Sequence, residues 1–247
     1  MIIIIVGEET ELINGSENYS GMIYKQVKSY AEKNGITHKK NITIVNKETG
    51  VEETREVFDY YEPYDPKEYV IIFTDHVGLL STESGMDLRN SINKFSEYMI
   101  LFRNRYDYIP AVIQQQSTET SNLEAFKANK IKPTMAGLSD SKYTAKDCTV
   151  MLGITHPYSH ELDSYLGYDI RKFKGNIRFL EIILNREGPS NGIIGLFFDG
   201  ATCTFYELPP PTNKVELEKI YHYLDSIRQP IKTSSITMFI KKLFKNG

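Results

Sequence analysis

Tyr69-Val70-Ile71-Ile72-Phe73-Thr74-Asp75-His76-Val77-Gly78-Leu79-Leu80 is an apolar run that stops on a single acid. Its consecutive β-favouring residues, Val70 to Phe73, predict a strand buried on both faces, because a half-exposed strand would alternate apolar and polar positions. Asp75 then stands at the strand's carboxyl end, where open parallel sheets bind their ligands. Two roles are open to an acid there: it holds a metal ion or orders a water, or it caps the helix that follows.

Upstream, Ile2 to Val6 reads as another strand, with Gly7-Glu8-Glu9-Thr10 where a nucleotide-binding protein would turn into its phosphate loop. No G-x-x-x-x-G-K-[ST] occurs there or elsewhere. That motif supplies the backbone N–H cradle, the lysine and the Mg²⁺-binding hydroxyl, so this chain by itself is a poor candidate for tight ATP binding. Glu8 and Glu9 either orient a water or simply open a helix. Residues 16–34 have the helical spacing Met22, Ile23, Val27, Tyr30, with Asn34-Gly35 as the stop. A short strand is expected over 42–45, a turn over 46–50, and a second helix from Val51 to about Tyr61, broken by Pro63 and Pro66. Strand, helix, strand is the pattern of parallel α/β architecture.

Downstream, a loop from Gly78 to Gly85 leads to a long helix over 86–105 with Leu88, Ile92, Phe95, Met99 and Phe102 on one face, a core stripe. Residues 109–113 read as the next strand, ending in Gln114-Gln115-Gln116-Ser117. Residues 117–132 are polar and carry Lys127, Lys130 and Lys132, which either contact a phosphate backbone or are simply solvated. Residues 148–154 form a further strand. His156 and His160 are spaced i, i+4, but Pro157 opposes a continuous metal-binding helix, so a loop is expected. A hairpin follows: strand 179–184, turn 185–192 with Arg186 at its shoulder, strand 193–198, then a third strand over 202–208.

The chain has 247 residues and a net charge of -3, which excludes a globally basic nucleic-acid coat and leaves room for a local basic groove. Cys148 and Cys203 form no CxxC pair and are expected as reduced core residues. The apolar runs are far short of the ~20 residues a bilayer needs, so no membrane partner is expected. Met1 to Val6 lacks the basic flank and length of a signal peptide, which places the protein in the cytoplasm.

Several blocks, in order, resemble the ATPase domain of DnaB-type hexameric replicative helicases. Ile71 to Leu80 is similar to that family's Walker B strand, an apolar run followed by Asp-Tyr-Leu-Gln-Leu. Pro110-Ala-Val-Ile-Gln-Gln-Gln116 is similar to the next strand, which ends in a sensor glutamine. Pro133 to Ser141, continuing to Lys146-Asp147-Cys148, resembles the block Asp-Leu-Arg-Glu-Ser-Gly, then Gln-Asp-Ala-Asp. Glu181 to Pro189, with Phe197-Phe198-Asp199-Gly200 and Phe205 behind it, looks like the arginine-finger hairpin.

The resemblance covers residues from about 42 to 208. It implies a RecA-like α/β core with a mostly parallel sheet, helices on both faces and a C-terminal β-hairpin. It also implies ATP and Mg²⁺ as cofactors. Asp75 would work with the metal, Gln116 would sense the γ phosphate, and Arg186 would reach a neighbouring subunit's nucleotide. Lys127, Lys130, Lys132 and Lys142 would face single-stranded DNA in the pore of a homo-oligomeric ring. The family's phosphate loop would precede this chain's first strands, which implies a core whose upstream part is encoded elsewhere. Leu184 stands where the family has a lysine, His76 where it has a tyrosine and Ser139 where it has an arginine. Loss of a phosphate-stabilising cation lowers phosphoryl-transfer rates by orders of magnitude. A catalytically degenerate subunit binding DNA or protein in a replisome or phage assembly is therefore the alternative. An unrelated α/β enzyme using Asp75 with His76 or His156 is a third reading.

The core is expected to span 1–208. Pro209-Pro-Pro211 opens a stiff linker and tail over 209–247, with a helix from Val215 to about Arg228. Thr237 to Phe244 mixes Met238, Phe239, Ile240, Leu243 and Phe244 with Lys241 and Lys242, and Lys245 follows. This segment either docks on a partner or packs back on its own domain.

Overall fold

The computed structural model describes residues 2–6, 9–13, 19–117 and 131–226. The chain divides into two compact units, Met1–Gln115 with Leu138–Asp147, and Gln116–Gly137 with Cys148–Gly247. Both mix helices and strands.

Unit one contains β1 (Ile2–Val6), β2 (Glu9–Ile13), α1 (Ser20–Asn34), β3 (Gly35–Val45), β4 (Glu52–Pro63), β5 (Val70–Thr74), α2 (Leu88–Tyr106) and β6 (Ile109–Val112). Its main sheet has the order β2-β1-β5-β6. The mostly parallel sheet expected from the sequence does not form. β1 runs antiparallel to both β2 and β5, and β5 with β6 is the one parallel pair among the described strands. Parallel neighbours need a crossover of a dozen or more residues, whereas antiparallel neighbours need only a short link. α2 provides the crossover between β5 and β6, while residues 7 and 8 alone separate β1 from β2.

β5 is buried on one face rather than two: Val70, Ile72 and Thr74 are buried, and Ile71 and Phe73 only half-buried. α2 begins on Asp87, whose side chain accepts the Asn90 N–H at 2.7 Å, and ends on Asp107 in the left-handed conformation. Its stripe Ile92, Phe95, Met99 and Phe102 packs with Ile23, Val27 and Ala31 of α1 and with Val70 and Ile72. Each such side chain contributes about 1.5–3 kcal/mol on burial. Glu83 fixes the start of α1 by accepting from Gly21 N at 2.8 Å and Ser20 Oγ at 2.7 Å. Lys94, with those donors, holds its carboxyl below the ordinary value.

The helix expected over 51–61 is a strand. β4 pairs antiparallel with β3 from Gly35 opposite Pro63 to Val45 opposite Glu52. Ion pairs Lys39–Glu56 at 2.7 Å and Lys40–Asp59 at 2.8 Å cross the ladder, and His38 stacks on Tyr60. Tyr61 pins the base of this hairpin, its hydroxyl donating to Ala31 O at 3.0 Å. A Cβ at Gly35 would lie 2.4 Å from the Tyr61 oxygen, so only glycine fits there.

Unit two contains β7 (Val150–Thr155), β8 (Ser164–Tyr165), β9 (Tyr168–Asp169), β10 (Ile177–Asn185), β11 (Ile193–Asp199) and β12 (Thr204–Glu207). Its sheet, ordered β12-β11-β10-β7, is antiparallel throughout. One face carries Phe179 and Phe197 into a core with Tyr168, Ile170 and Phe173. Leu217 and Ile220 of the helix Lys214–Ser226 complete that core. Residues 214–226 therefore pack with unit two rather than standing apart as a tail.

Candidate functional site

Asp75 stands exposed at the carboxyl end of β5, as the sequence implies. The ends of β5 and β6 are laced together: Ile113 N donates to Thr74 O at 2.9 Å, and Val77 N to Ile113 O at 3.2 Å. The Asp75–His76 peptide is cis. A Cβ at Gly78 would lie 3.0 Å from the His76 ring and 3.5 Å from Asp140 Oδ2, so His76 and Asp140 both border this turn.

The three glutamines after β6 have separate fates. Gln114 is a structural clamp. Its Nε2 donates to Ser139 O and Ser141 O at 2.5 and 2.8 Å, and its Oε1 accepts from Thr144 Oγ1 at 2.5 Å. Gln115 holds the same segment through its carbonyl, which accepts from Ser139 N and Oγ, each at 3.0 Å. These contacts belong to unit one. In unit two, the Gln116 carboxamide is folded onto a turn: Nε2 donates to Thr134 O at 3.1 Å, while Oε1 is buried with no partner. A Cβ at Gly137 would lie 2.2 Å from that oxygen. Only a glycine lets Gln116 lie there.

Arg186 is exposed just beyond β10, at the hairpin shoulder. Two carbonyls brace it: its N–H donates to Thr149 O at 3.0 Å and its Nε to Cys148 O at 2.9 Å. Lys132, expected at DNA, is ion-paired with Glu181, a carboxylate buried in the sheet. Lys142 is exposed in unit one. Lys127 and Lys130 lie outside the described residues. Asp75 and Lys142 thus fall in unit one, and Gln116, Lys132 and Arg186 in unit two.

The histidine loop forms as expected, a single 3₁₀ turn over Pro157–His160. His156 Nε2 and His160 Nδ1 are buried without hydrogen-bond partners. Burial, with Arg178 and His160 nearby, holds His156 below its ordinary value. The cysteines are both free, but neither is a core residue: Cys148 is half-buried and Cys203 exposed at φ 51°. Among the described residues no group of three or more His, Cys, Asp or Glu side chains could hold a metal. No described helix is long and apolar enough to cross a membrane.

No protein-family profile and no curated protein matches the sequence. Solved structures do match. The fold is similar to that of DnaB-like helicase ATPase domains. One such solved ATPase domain aligns at a TM-score of 0.53 and 15% identity, over 79% of this chain and 54% of that one. A DnaB-like replicative helicase, studied with its primase interactions, aligns at 0.51 and 16%, over 80% and 37%. The chain thus spans about half of the first and just over a third of the second. At such identities the likeness is one of fold.

Asp75 suits Mg²⁺, which keeps several waters and takes one or two carboxylates together with substrate phosphates. The triphosphate is another matter. With no G-x-x-x-x-G-K-[ST] in the sequence, the residues present do not by themselves make an ATP site.

Proposed function

We propose that this chain is part of a DnaB-type helicase working as a ring on single-stranded DNA, with the phosphate loop supplied from outside these 247 residues. The observation that carries the reading is Asp75 at the carboxyl end of β5, beside the parallel β6, in a fold similar to helicase ATPase domains. In this reading Asp75 holds Mg²⁺ and Arg186 supplies a cation to a neighbouring subunit's nucleotide. Gln116 serves as sensor once its carboxamide leaves the Thr134–Gly137 turn. Lys127, Lys130 and Lys142 meet DNA phosphates, and Lys132 is left to Glu181.

The test is calorimetry on the chain with Mg²⁺ and a non-hydrolysable ATP analogue, with and without a single-stranded oligonucleotide. The expected result is an oligonucleotide bound and no nucleotide bound. Micromolar nucleotide affinity would show that the chain makes its own phosphate site. Failure to bind either ligand would overturn the reading.

A second reading, a subunit that has lost catalysis and serves as a binding component, is favoured by the tethered Gln116 and by Leu184 in place of the family's lysine. The two readings separate in the reconstituted assembly, where a motor loses turnover on Arg186→Ala and a retired subunit does not.

A further inference from the structure

The face of the β12-β11-β10-β7 sheet turned away from its core is apolar and open. β7 lies at the edge, with Val150, Leu152 and Ile154 exposed by 49%, 56% and 58%. The register carries the patch inward. Ile154 is opposite Leu180 and Leu180 opposite Ile194; Leu152 is opposite Ile182. A Cβ at Gly192 would meet Ile182 at 3.4 Å, so the strip continues to the next strand. The alternate residues Thr155, Phe179 and Phe197 are buried, as a period of two requires of a sheet with one packed face. Scattered exposed aliphatics need no explanation, but a contiguous strip across several strands marks a surface that something covers.

One segment of the chain, outside the described residues, has the shape of a cover. Ile236, Phe239, Ile240, Leu243 and Phe244 recur at i, i+3, i+4, i+7 and i+8, a continuous helical stripe, with Lys241, Lys242 and Lys245 off it. A helix over residues 236–244 is about 13 Å long. Four strands span about 14 Å. The helix Lys214–Ser226 packs on the opposite face of the same sheet. Residues 227–235 reach about 30 Å when extended, enough to carry the chain round the sheet edge. Residues 227–247 hold five basic side chains and no acid, and Glu207, opposite Leu196, gives the open face an acidic rim.

We infer that residues 236–244 form an amphipathic helix lying across this face, apolar stripe inward and lysines outward. The surface is thus a seat for the chain's own C-terminal segment.

Hydrogen exchange by mass spectrometry on the full chain tests this. Amides of 236–244 should be protected at least tenfold over a free peptide of the same sequence. The protection should vanish in a Phe239→Asp/Leu243→Asp variant and in Leu152→Asp, and persist in Lys242→Asp. An unprotected segment in the intact chain, or protection that survives Leu152→Asp, overturns the inference. So does protection that grows with protein concentration alongside a dimer in sedimentation, which would seat a second copy's segment instead. Should Leu152→Asp unfold the sheet, crosslinking replaces it. Leu152→Cys with Ile240→Cys, in a Cys148→Ser/Cys203→Ser background, should give an intramolecular product with a short dithiol reagent. Intermolecular products alone, or none, overturn the inference.

Discussion

Gly137→Ala tests how Gln116 is stored. The new Cβ would fall 2.2 Å from Gln116 Oε1, 3.2 Å from Thr134 Oγ1 and 3.4 Å from Gln116 Cδ, so the carboxamide must leave while the turn stays. Leaving breaks the Nε2 bond to Thr134 O, a loss of about 1 kcal/mol. It also returns the buried, unpartnered Oε1 to water, recovering about 1–3 kcal/mol. Gly137 is not at positive φ, so alanine also gains about 0.4–1 kcal/mol by restricting the unfolded chain. Urea denaturation should therefore place the variant within about 1 kcal/mol of the parent or above it. In a Gln116→Ala background the clash is gone, and the two changes should couple by at least about 0.5 kcal/mol. A loss of about 3 kcal/mol or more, unchanged in that background, would show that the turn gives way instead, and the stored-glutamine account would fail.

Arg186→Ala removes one exposed hydrogen bond to Cys148 O and should lower stability by no more than about 1 kcal/mol in thermal melts. DNA-stimulated hydrolysis by the reconstituted assembly should be abolished while nucleotide binding largely survives. Because His156 is held below its ordinary 6.5, the unfolded chain takes up the proton first, and stability from this group is lost as pH falls below about 6.5. His156→Gln should flatten that part of the acid limb relative to the parent, read as urea midpoints at pH 7.5 and 5. Phe102→Ala, at a fully buried position between α1 and α2, should cost about 3–5 kcal/mol by urea denaturation.

The legible parts of the sequence were those whose signal is local. The β5 run with its terminal acid, the α2 stripe and the β10–β11 hairpin each carry their own period and stop signals. β4 did not. Its Glu52, Glu53, Arg55 and Glu56 read as a solvated helix, although Thr54, Val57, Phe58, Tyr60 and Tyr61 are all β-favouring. What decides it is the cross-strand set Lys39–Glu56, Lys40–Asp59 and His38–Glu62, set up by the turn at Asn46–Gly50 and invisible one strand at a time. The antiparallel direction of β1 is likewise absent from a run of isoleucines. At the site, Asp75 and Arg186 were legible because strand ends and turn shoulders are. The clamp at Gln114 and the pairing of Lys132 with a buried Glu181 depend on segments distant in sequence. Even so, Glu181 alone between Leu180 and Ile182 was a signal that a cation had to be near.

The most direct test of the central claim is single-stranded oligonucleotide binding by fluorescence anisotropy across a salt series. With Lys132 held by Glu181, Lys127, Lys130 and Lys142 remain, and log affinity should fall against log salt with a slope of about -2. That slope should drop by about 0.7 for each of these lysines replaced by alanine. No binding, or binding indifferent to salt and to those lysines, would contradict a helicase-type domain working on DNA.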